Sequence, residues 1–433
     1  GGTVRPSPGT YLLNHETQNG AVTVNKNNVT IECENRDATI FKFPDGATSV
    51  SMFAVAESGS PTANNFRIRN CTFEGNGTNW GLNASCTGSG APYACCTGSG
   101  TGTCNTKSHI AVYRATLGTA DHGIIEENVF QNFWNATITS GAWTILLDRR
   151  WQDWTVRQNK FYSNRRGMSL SCTATPCSGF KISGNEFDHG ANSVTLGSDR
   201  FIQIADSASG QPSNGIIDGN RTIGTCKSNF IISAANYVTI SNNVADGCLA
   251  DQIVVGSTVG TQLVHHATVT NNVAINGGDG GFGFEIAAGT QGPYSCTFTG
   301  NVAYKNDSVG LFVISSSDII IAGNIFDGNG VDTGLAAAGR AGVYLTGEAA
   351  TRLSRRNILT DNQYIDSQGT PTQQCGISFP SGLLADANVI DGGLFNGSVE
   401  NLCIADSTAV TSTTFRDLTV VSADLTTDGS RAA

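Results

Sequence analysis

The stretch Phe180-Lys-Ile182-Ser-Gly-Asn185-Glu-Phe187 carries a pattern that recurs along the chain. Apolar and polar side chains alternate, a tight turn follows, and an asparagine precedes a second short alternation. The same pattern is found in Val238-Thr-Ile240-Ser-Asn-Asn243-Val-Ala245 and in Ile319-Ile-Ile321-Ala-Gly-Asn324-Ile-Phe326. Because alternation with a period of two is typical of a strand with one buried face, each copy predicts two short strands joined by a turn.

Aligned on the asparagine, the pattern occurs nine times, with steps of 23 to 38 residues. Each copy also holds a third strand, such as Gln252-Ile253-Val254-Val255. Three short strands in a variable period are typical of one turn of a parallel β-helix. Asparagine suits the bend because it tolerates left-handed backbone, and stacked amides hydrogen-bond along a column. The asparagines stand at positions 128, 159, 185, 220, 243, 272, 301, 324 and 362, with Cys71 and Gly393 in the same place in an earlier and a later copy.

The repeat therefore predicts an all-β chain folded as a single-stranded parallel β-helix, a solenoid of roughly 10–12 turns. We expect a single domain over residues 1–433, since no linker-like stretch divides the chain. A solenoid must cap both ends of its core. We assign the N-terminal cap to about residues 1–43 and the C-terminal cap to about 406–433, with an inserted Gly/Ser/Thr-rich loop at about 82–106.

Composition excludes several classes of partner. The net charge of −10 argues against nucleic-acid binding, which needs a basic surface, but leaves room for a local basic patch that binds an acidic sugar. There is no run of about 18 apolar residues, so we expect no membrane insertion. The 13 cysteines lack repeated Cys-x-x-Cys pairs, which favours disulfides over zinc and a secreted, extracellular or virion-surface protein.

The spacing of the cysteines predicts part of the disulfide pattern. Two pairs stand about one turn apart, one pair closes a short loop, and one pair borders the asparagine column. Four more cysteines would support the insertion, and one at an inward position is predicted to be a buried free thiol. The pairs one turn apart are Cys226 with Cys248 and Cys375 with Cys403, while Cys172 with Cys177 closes the short loop and Cys33 with Cys71 borders the column. The insertion holds Cys86, Cys95, Cys96 and Cys104, and the predicted free thiol is Cys296.

All five tryptophans lie between residues 80 and 154, where the repeat is least regular. Aromatic faces stack on the apolar C–H faces of sugar rings, so this grouping favours glycan binding. Trp154 aligns with Phe180 and is predicted to be core. Trp134, Trp143 and Trp151, like Trp80, fall in loops or at loop edges, where sugar contact and a purely structural role are both open.

Two carboxylates are the first catalytic candidates. Ile145 and Leu147 are predicted to point inward, so Asp148 points outward, and a similar segment two turns later carries Asp206. Two turns correspond to about 10 Å at the usual strand spacing, near the separation used by inverting glycosidases. In the alternative interpretation, Asp148 only pairs with Arg149 or Arg150 on a solvated surface.

A local excess of basic residues indicates different chemistry. A lyase acting on a uronic acid needs a cation to neutralise the carboxylate and a base to remove the C5 proton. His189 is the group that would titrate near neutral pH. Alternatively, the histidine is a loop residue without a role and the arginines are solvated charges. The residues concerned are Arg149, Arg150, Arg165, Arg166, His189, Asp199 and Arg200.

Glu285, in Gly281-Phe-Gly-Phe-Glu-Ile286, is a further candidate. If Phe282, Phe284 and Ile286 point inward, Glu285 points outward on the same sheet as Asp148. We predict a separate substrate-binding subsite or an alternative centre there.

The repeat resembles the pectate-lyase-like superfamily of right-handed β-helices, which includes polysaccharide lyases, glycoside hydrolases and phage tail-spike-like proteins. The opening is also similar, with Gly1-Gly2-Thr3-Val4, Pro8-Gly9-Thr10-Tyr11 and Val22-Thr-Val24. The resemblance covers nearly the whole chain and implies the fold. The Asp-Pro-His-Glu of alginate epimerases, the Gly-His-Gly and Arg-x-Lys of polygalacturonases and the Arg-x-Pro-x-x-Arg of pectate lyases are missing, so no catalytic residue carries over.

Three functions are compatible with these features. The first is an extracellular enzyme that cleaves a glycan, preferably acidic, by β-elimination or hydrolysis. The second is a non-catalytic glycan-binding adhesin or tail-spike-like receptor-binding protein, and the third is a structural surface protein. We expect a polysaccharide partner, a monomer or a homotrimer, and no required cofactor, although scattered aspartates leave Ca²⁺ open.

Overall fold

In a computed structural model, the protein forms parallel strands with a buried apolar core in each of two units. The chain divides into two compact units, unit 1 (Gly1–Ile216 and Asn220–Cys226) and unit 2 (Ile217–Gly219 and Lys227–Ala433). The structure describes residues 1–14, 20–45, 51–56, 62–76, 110–114, 120–133, 143–148, 150–172, 177–190, 200–205, 210–224, 226–233, 235–256, 264–287, 292–348, 352–380, 385–404 and 412–421.

Unit 1 contains three parallel sheets, and successive turns of the chain add one strand to each. Sheet 1 runs β1 (Gly2–Val4), β4 (Val29–Glu32), β7 (Arg67–Arg69), β10 (Ile124–Glu126), β14 (Thr155–Arg157) and β17 (Cys177–Ser183), with β13 (Trp151–Gln152) beside β17. Sheet 2 runs β2 (Gly9–Leu12), β5 (Thr39–Lys42), β8 (Thr72–Glu74), β11 (Val129–Gln131), β15 (Lys160–Tyr162), β18 (Glu186–Asp188) and β21 (Arg221–Ile223). Sheet 3 runs β3 (Gly20–Val24), β6 (Ser51–Val55), β9 (Ile110–Arg114), β12 (Trp143–Leu147), β16 (Arg166–Ser171) and β19 (Arg200–Ala205). The chain passes into unit 2 within β20 (Ser213–Asp218).

Unit 2 repeats the arrangement. Its sheet 1 runs β23 (Asn236–Ser241), β26 (Thr268–Thr270), β29 (Thr297–Thr299), β32 (Ile320–Ala322), β36 (Ile358–Thr360), β40 (Val389–Asp391) and β43 (Thr414–Arg416). Sheet 2 runs β24 (Val244–Asp246), β27 (Val273–Ile275), β30 (Val302–Tyr304), β33 (Ile325–Asp327), β37 (Gln363–Ile365), β41 (Leu394–Asn396) and β44 (Thr419–Val420). Sheet 3 runs β22 (Ser228–Ser233), β25 (Ile253–Gly256), β28 (Phe284–Ala287), β31 (Leu311–Ile314), β34 (Ala341–Thr346), β38 (Cys375–Phe379) and β42 (Glu400–Ile404). A short pair, β35 (Ser354–Arg355) with β39 (Ala385–Asp386), and a 3-10 turn at Ala337–Gly339 complete the described elements.

The predicted parallel β-helix is confirmed, but it has more turns than predicted. Sheet 2 has seven strands in each unit among the described residues. The additional turns lie mainly at the two ends of the chain. The segment predicted as an N-terminal cap, residues 1–43, carries β1 to β5, and the segment 406–433 carries β43 and β44. Strand-forming sequence at the ends therefore continues the sheets.

The asparagine column is present as a hydrogen-bonded ladder in each unit. In unit 1 the Asn128 amide donates to Asn159 over 3.1 Å, and Asn159 donates to Asn185 over 3.0 Å. In unit 2 Asn272 donates to Asn301 over 3.0 Å in the same way. These side chains are almost completely buried, so the ladder satisfies polar groups that would otherwise be costly inside the core.

The left-handed position of the bend differs from our prediction. The left-handed conformation is adopted by the residue immediately before each column asparagine, as at Gln158 with φ of 54° and Asn271 with φ of 55°, and not by the asparagine itself. Where glycine precedes the column, as at Gly184, its φ of 61° costs little. The bend is therefore made by one residue, and the next turns its amide inward.

The core consists of inward side chains stacked from turn to turn. In sheet 2 of unit 1, Phe73 stacks on Phe130 at 4.7 Å, Phe130 on Phe161 at 5.0 Å and Phe161 on Phe187 at 4.5 Å between ring centroids. These spacings match the distance between hydrogen-bonded strands, so each ring packs on its counterpart one turn away.

The cysteines agree with the predicted pattern wherever the structure describes them. Disulfides join Cys33 to Cys71, Cys172 to Cys177 and Cys375 to Cys403. Cys226 and Cys248 are both disulfide-bonded, and their pairing with each other stays a prediction. Cys296 is a buried free thiol, as predicted, and burial raises its pKa to about 11. The four cysteines of the 82–106 insertion lie outside the described residues.

Candidate functional site

Asp148 follows β12 on sheet 3 of unit 1. Ile145 and Leu147 are completely buried and point inward, as predicted. Asp148 itself is only 9% exposed, so it is not a solvated surface charge. The register aligns Leu147 with Leu170 and Leu170 with Ile204, which places Asp148 one position after this row.

Several predicted site residues lie outside the described part of the chain. Because Asp206 is one of them, the predicted separation between Asp148 and Asp206 is not tested. The others are Arg149, Asp199, Trp134 and Trp80.

His189 and Arg165 lie in the interior of unit 1, where we had predicted surface loops. Their exposed fractions are 3% and 2%. The His189 imidazole packs edge-on against Phe201, and its Nε2 atom lies 3.3 Å from the Arg165 carbonyl oxygen. Burial lowers the pKa of His189 to about 4. The expectation of a histidine titrating near neutral pH is therefore wrong, because the imidazole is desolvated.

Two of the tryptophans are core residues. Trp154 is 1% exposed, as predicted, and donates to the Ala120 carbonyl over 2.6 Å. Trp151, predicted at a loop edge, is completely buried and donates to the Ser171 carbonyl over 3.1 Å. Of the two roles left open for it, sugar contact is excluded, since its ring packs against Phe180 inside the unit.

The outward side of sheet 3 in unit 1 brings together an aromatic ring and cations. Trp143 belongs to a buried apolar cluster and is only 5% exposed, and the Arg166 guanidinium lies 5.0 Å from its ring centroid. Arg200, whose pKa burial lowers, donates to Gln203 over 3.1 Å. Arg150 is also partly buried. The partly buried guanidinium groups suit the carboxylate of an acidic sugar, whereas the buried Trp143 ring orients Arg166 and is not exposed for stacking.

A second polar site lies on sheet 3 of unit 2. Phe284 and Ile286 point inward, as predicted, with 1% and 0% of their surfaces exposed. Glu285 therefore points outward, where it is half-buried and hydrogen-bonds the side chain of Asp251. Asp251 lies just before β25, and the Phe282 backbone N–H is 3.5 Å from its Oδ1 atom.

The two carboxyl groups hold a proton at neutral pH. Burial, followed by the charge of Asp251 and the hydrogen bond to it, raises the pKa of Glu285 to about 8. Burial also raises the pKa of Asp251, against the hydrogen bonds from Glu285 and Phe282 and the charge of Lys227. Two adjacent carboxyls that are partly withdrawn from water cannot both ionise easily, so one proton is shared between them.

A strip of aromatic rings flanks this pair. Phe282 stacks on Phe312 at 4.7 Å, and Phe312 lies 5.2 Å from Tyr344. The register aligns Glu285 with Phe312 and Phe312 with Tyr344, so the strip runs along the outward side of the sheet. Phe282 was predicted to point inward. That is wrong, because β28 begins only at Phe284 and the alternation does not extend back to it.

Sequence reasoning found Glu285 but missed its partner and the aromatic strip. Asp251 lies in a turn, where an aspartate has no periodic signal. Phe312 and Tyr344 could have been found by aligning the third strands on their inward residues, which puts both in the column of Glu285.

No helix in the described part of the chain is long and apolar enough to cross a membrane. Within the same residues, no group of three or more histidine, cysteine, aspartate or glutamate side chains is gathered to hold a metal ion.

Comparison with known proteins agrees with a parallel β-helix. A family model described as "Right handed beta helix region" matches residues 145–350, so the helix is right-handed, as predicted. No curated protein sequence is significantly similar to this chain.

Three solved structures illustrate the likeness. A PL6 alginate lyase in complex with a trisaccharide is 14% identical, with a TM-score of 0.56 over 97% of this chain and 79% of that one. DFA-IIIase from Arthrobacter chlorophenolicus A6 in complex with GF2 is 11% identical, with a TM-score of 0.53 over 83% and 84%. The Dettilon tailspike protein is 14% identical, with a TM-score of 0.49 over 95% and 61%. At these identities the likeness is one of fold.

Proposed function

We propose that this protein is an extracellular enzyme that cleaves glycosidic bonds in a polysaccharide, with Asp251 and Glu285 as its acid–base centre. The observation that carries the proposal is a carboxyl pair that keeps a proton at neutral pH beside the aromatic strip of Phe282, Phe312 and Tyr344. The strip offers stacking surfaces for sugar rings. The alginate lyase of similar fold has a trisaccharide bound, which supports a glycan as the substrate class.

Glu285 is the proton donor in this proposal. A carboxylic acid that is still protonated at neutral pH can donate its proton to the leaving glycosidic oxygen. Loss of this proton leaves two adjacent carboxylates that repel each other, so the pair takes a proton back from the attacking water or from solvent before the next turnover. Cleavage is completed by water at the anomeric carbon, giving hydrolysis, or by loss of the C5 proton of a uronic acid, giving an unsaturated product.

The pair differs from the usual arrangement in glycoside hydrolases. Those enzymes place two carboxyls about 5–9.5 Å apart, on opposite sides of the bond. Asp251 and Glu285 hydrogen-bond each other, so they act together from one side. A further group of unit 2 must then serve as base or position the water, while Asp148, Arg149, Arg166 and Asp206, which belong to unit 1, stay candidates for a separate centre.

An acidic glycan is the proposed substrate because unit 1 offers cations on its outward surface. Arg166 over Trp143, with Arg200 and Arg150, suits the carboxylate of a uronic acid. The disulfides Cys33–Cys71 and Cys375–Cys403 support a secreted or virion-surface location.

A second candidate function is glycan binding without cleavage, as in an adhesin or a tail-spike-like receptor-binding protein. The aromatic strip favours it as well, since stacking alone is enough for binding.

Activity on a panel of neutral and uronic polysaccharides tests the proposal, with ultraviolet absorbance and reducing ends read together. We expect new reducing ends, and absorbance rising with them identifies elimination. Glu285→Gln and Asp251→Asn should each lower the rate by about 100-fold or more. The control is Glu348→Gln, which removes an exposed carboxylate paired with Arg352 and should keep the wild-type rate. Wild-type rates in both site variants would refute the centre, and binding without any cleavage would establish the second candidate.

A further inference from the structure

Two adjacent imidazoles face each other on the surface of unit 2. His265 and His266 lie at the bend before β26, and their Nδ1 atoms are 2.7 Å apart. At this distance the two nitrogens share one proton, donated by one ring and accepted by the other. His266 is exposed and His265 partly exposed, so solvent reaches the pair.

Tyrosines from the neighbouring turns hold both rings. Tyr237 stacks on His266 at 4.9 Å with an interplanar angle of 13°, and Tyr294 lies 5.2 Å from His265 at 32°. Backbone hydrogen bonds fix these turns, with Tyr237 N–H donating to the His265 carbonyl over 3.2 Å and Tyr294 N–H to the Val264 carbonyl over 3.2 Å. The imidazoles are thus oriented before any ligand arrives.

The backbone is unusual at the same place. His266 has a φ of 55° and Tyr237 a φ of 54°. The left-handed region disfavours bulky side chains, and residues are held in it where their surroundings impose it. Here the left-handed backbone at His266 and Tyr237 orients both imidazoles toward one point.

We propose that His265 and His266 form a two-imidazole site for Cu²⁺. Metal–nitrogen bonds are about 2.0 Å long, so two nitrogens at a right angle around a metal stand about 2.8 Å apart, whereas a tetrahedral ion requires about 3.3 Å. The observed 2.7 Å matches the right angle of a square-planar ion. Cu²⁺ prefers this geometry and binds nitrogen ligands most strongly among the divalent first-row metals. The ring that carries its proton on Nδ1 exchanges to the Nε2–H tautomer through solvent, so that both Nδ1 atoms bind the ion, and water fills the other positions.

The site shares no residue with Asp251, Glu285 or the aromatic strip, so it does not rest on the proposed function. Tyr237 and Tyr294 are positioning residues, because only their ring faces contact the imidazoles.

Titration of the full-length protein with CuCl₂, followed by calorimetry and electron paramagnetic resonance, tests the proposal. We expect a site with a dissociation constant at or below about 10 μM and a square-planar spectrum with hyperfine splitting from two nitrogens. His265→Gln and His266→Gln should each weaken that site at least 10-fold and remove one nitrogen from the spectrum. Zn²⁺ should bind at least 10-fold more weakly than Cu²⁺.

Two controls separate this site from other copper-binding groups. His122→Gln removes an exposed histidine of unit 1 that lies 3.3 Å from Asp153, and should leave the copper spectrum unchanged. Tyr237→Phe keeps the stacking ring and should retain the two-nitrogen spectrum. An unchanged affinity and spectrum in the double variant His265→Gln/His266→Gln would overturn the proposal.

Discussion

Glu285 and Asp251 belong to successive turns of unit 2, and their side chains hydrogen-bond across the outward side of sheet 3. Asp318, by contrast, is an outward carboxylate that meets an arginine, Arg356. When two carboxyl groups are adjacent, one of them must keep its proton. The pair therefore destabilises the fold at pH values where a free carboxyl group would be ionised. Proteins retain such arrangements mainly where chemistry needs them.

Glu285→Gln should stabilise the protein at alkaline pH while it abolishes cleavage. The folded pKa of about 8 lies above the ordinary value of 4.5, so the unfolded chain loses its proton first and stability falls as pH rises between these values. Glutamine resembles the protonated acid and removes this cost. Thermal melts at pH 5 and pH 8 should show a gain of a few degrees at pH 8 and little change at pH 5. A melting temperature lower than wild type at both pH values would contradict the shared proton.

Glu126→Gln should destabilise unit 1 at neutral pH. The Glu126 carboxylate is 1% exposed and pairs with Arg67 and Arg157. Burial raises its pKa, but the hydrogen bonds and charges of the two arginines outweigh burial and leave the pKa below 4.5. Its contribution is therefore present above pH 4.5 and lost as pH falls through the lowered pKa. Because both arginines are partly exposed, we expect a cost of about 1–3 kcal/mol at pH 7.

Denaturant titrations at pH 7 and pH 3 measure this difference, which should shrink at pH 3. The matched control is Glu127→Gln at the next, exposed position, which should change stability by less than about 0.5 kcal/mol. Equal effects at the two positions would show that the ion pairs contribute nothing.

Substitution should destabilise the protein at Asn272 but leave its stability nearly unchanged at the neighbouring Asn271. Asn272 is buried and donates to the Ile240 carbonyl over 2.8 Å and to Asn301 over 3.0 Å, so Asn272→Ala leaves several buried polar groups unpaired. We expect a loss of about 2–4 kcal/mol. Asn271 is exposed with left-handed backbone, where Asn271→Gly should stay within about 0.5 kcal/mol. Urea titration of both variants checks the contrast, and a tolerated Asn272→Ala would mean that water replaces the ladder.

Arg166→Gln should weaken binding of uronic polysaccharides about 5- to 10-fold and leave neutral polysaccharides unaffected. Its guanidinium is held over the buried Trp143 ring, where it offers a positioned charge to the carboxylate of a sugar. Affinity electrophoresis or calorimetry measures the change. Lys160→Gln is the control, since it removes an equal charge from an exposed position 3.8 Å from Glu186. Equal losses in both variants would indicate only long-range attraction.

The sequence was sufficient for the features that repeat. The asparagine ladder, the inward Ile145 and Leu147, the Cys375–Cys403 bridge and the buried Cys296 all follow from one alignment of the turns. Each depends on the period, which is set by local backbone geometry and by stacking on the preceding turn.

The predictions that failed concern irregular segments of the chain. His189 follows β18 in what was predicted to be a loop, but its N–H bonds the Ile223 carbonyl at 3.1 Å and continues the sheet inward. Asp251 became part of the candidate site only through Glu285 on the next turn. A second ladder, from Asn306 to Asn329 at 2.9 Å, was also missed, although both residues follow the main column by the same five positions. Contacts made in turns have no periodic signal, so they require coordinates.

The asparagine ladder also bears on how such a chain can change over evolutionary time. Each turn is aligned to the last by one amide, while the spacing between successive amides ranges from 23 to 38 residues. Loops can therefore lengthen, shorten or be exchanged without shifting the strands that follow. New recognition surfaces can arise by insertion while the scaffold keeps its register, and grafted loops should be tolerated at the same junctions in engineered variants.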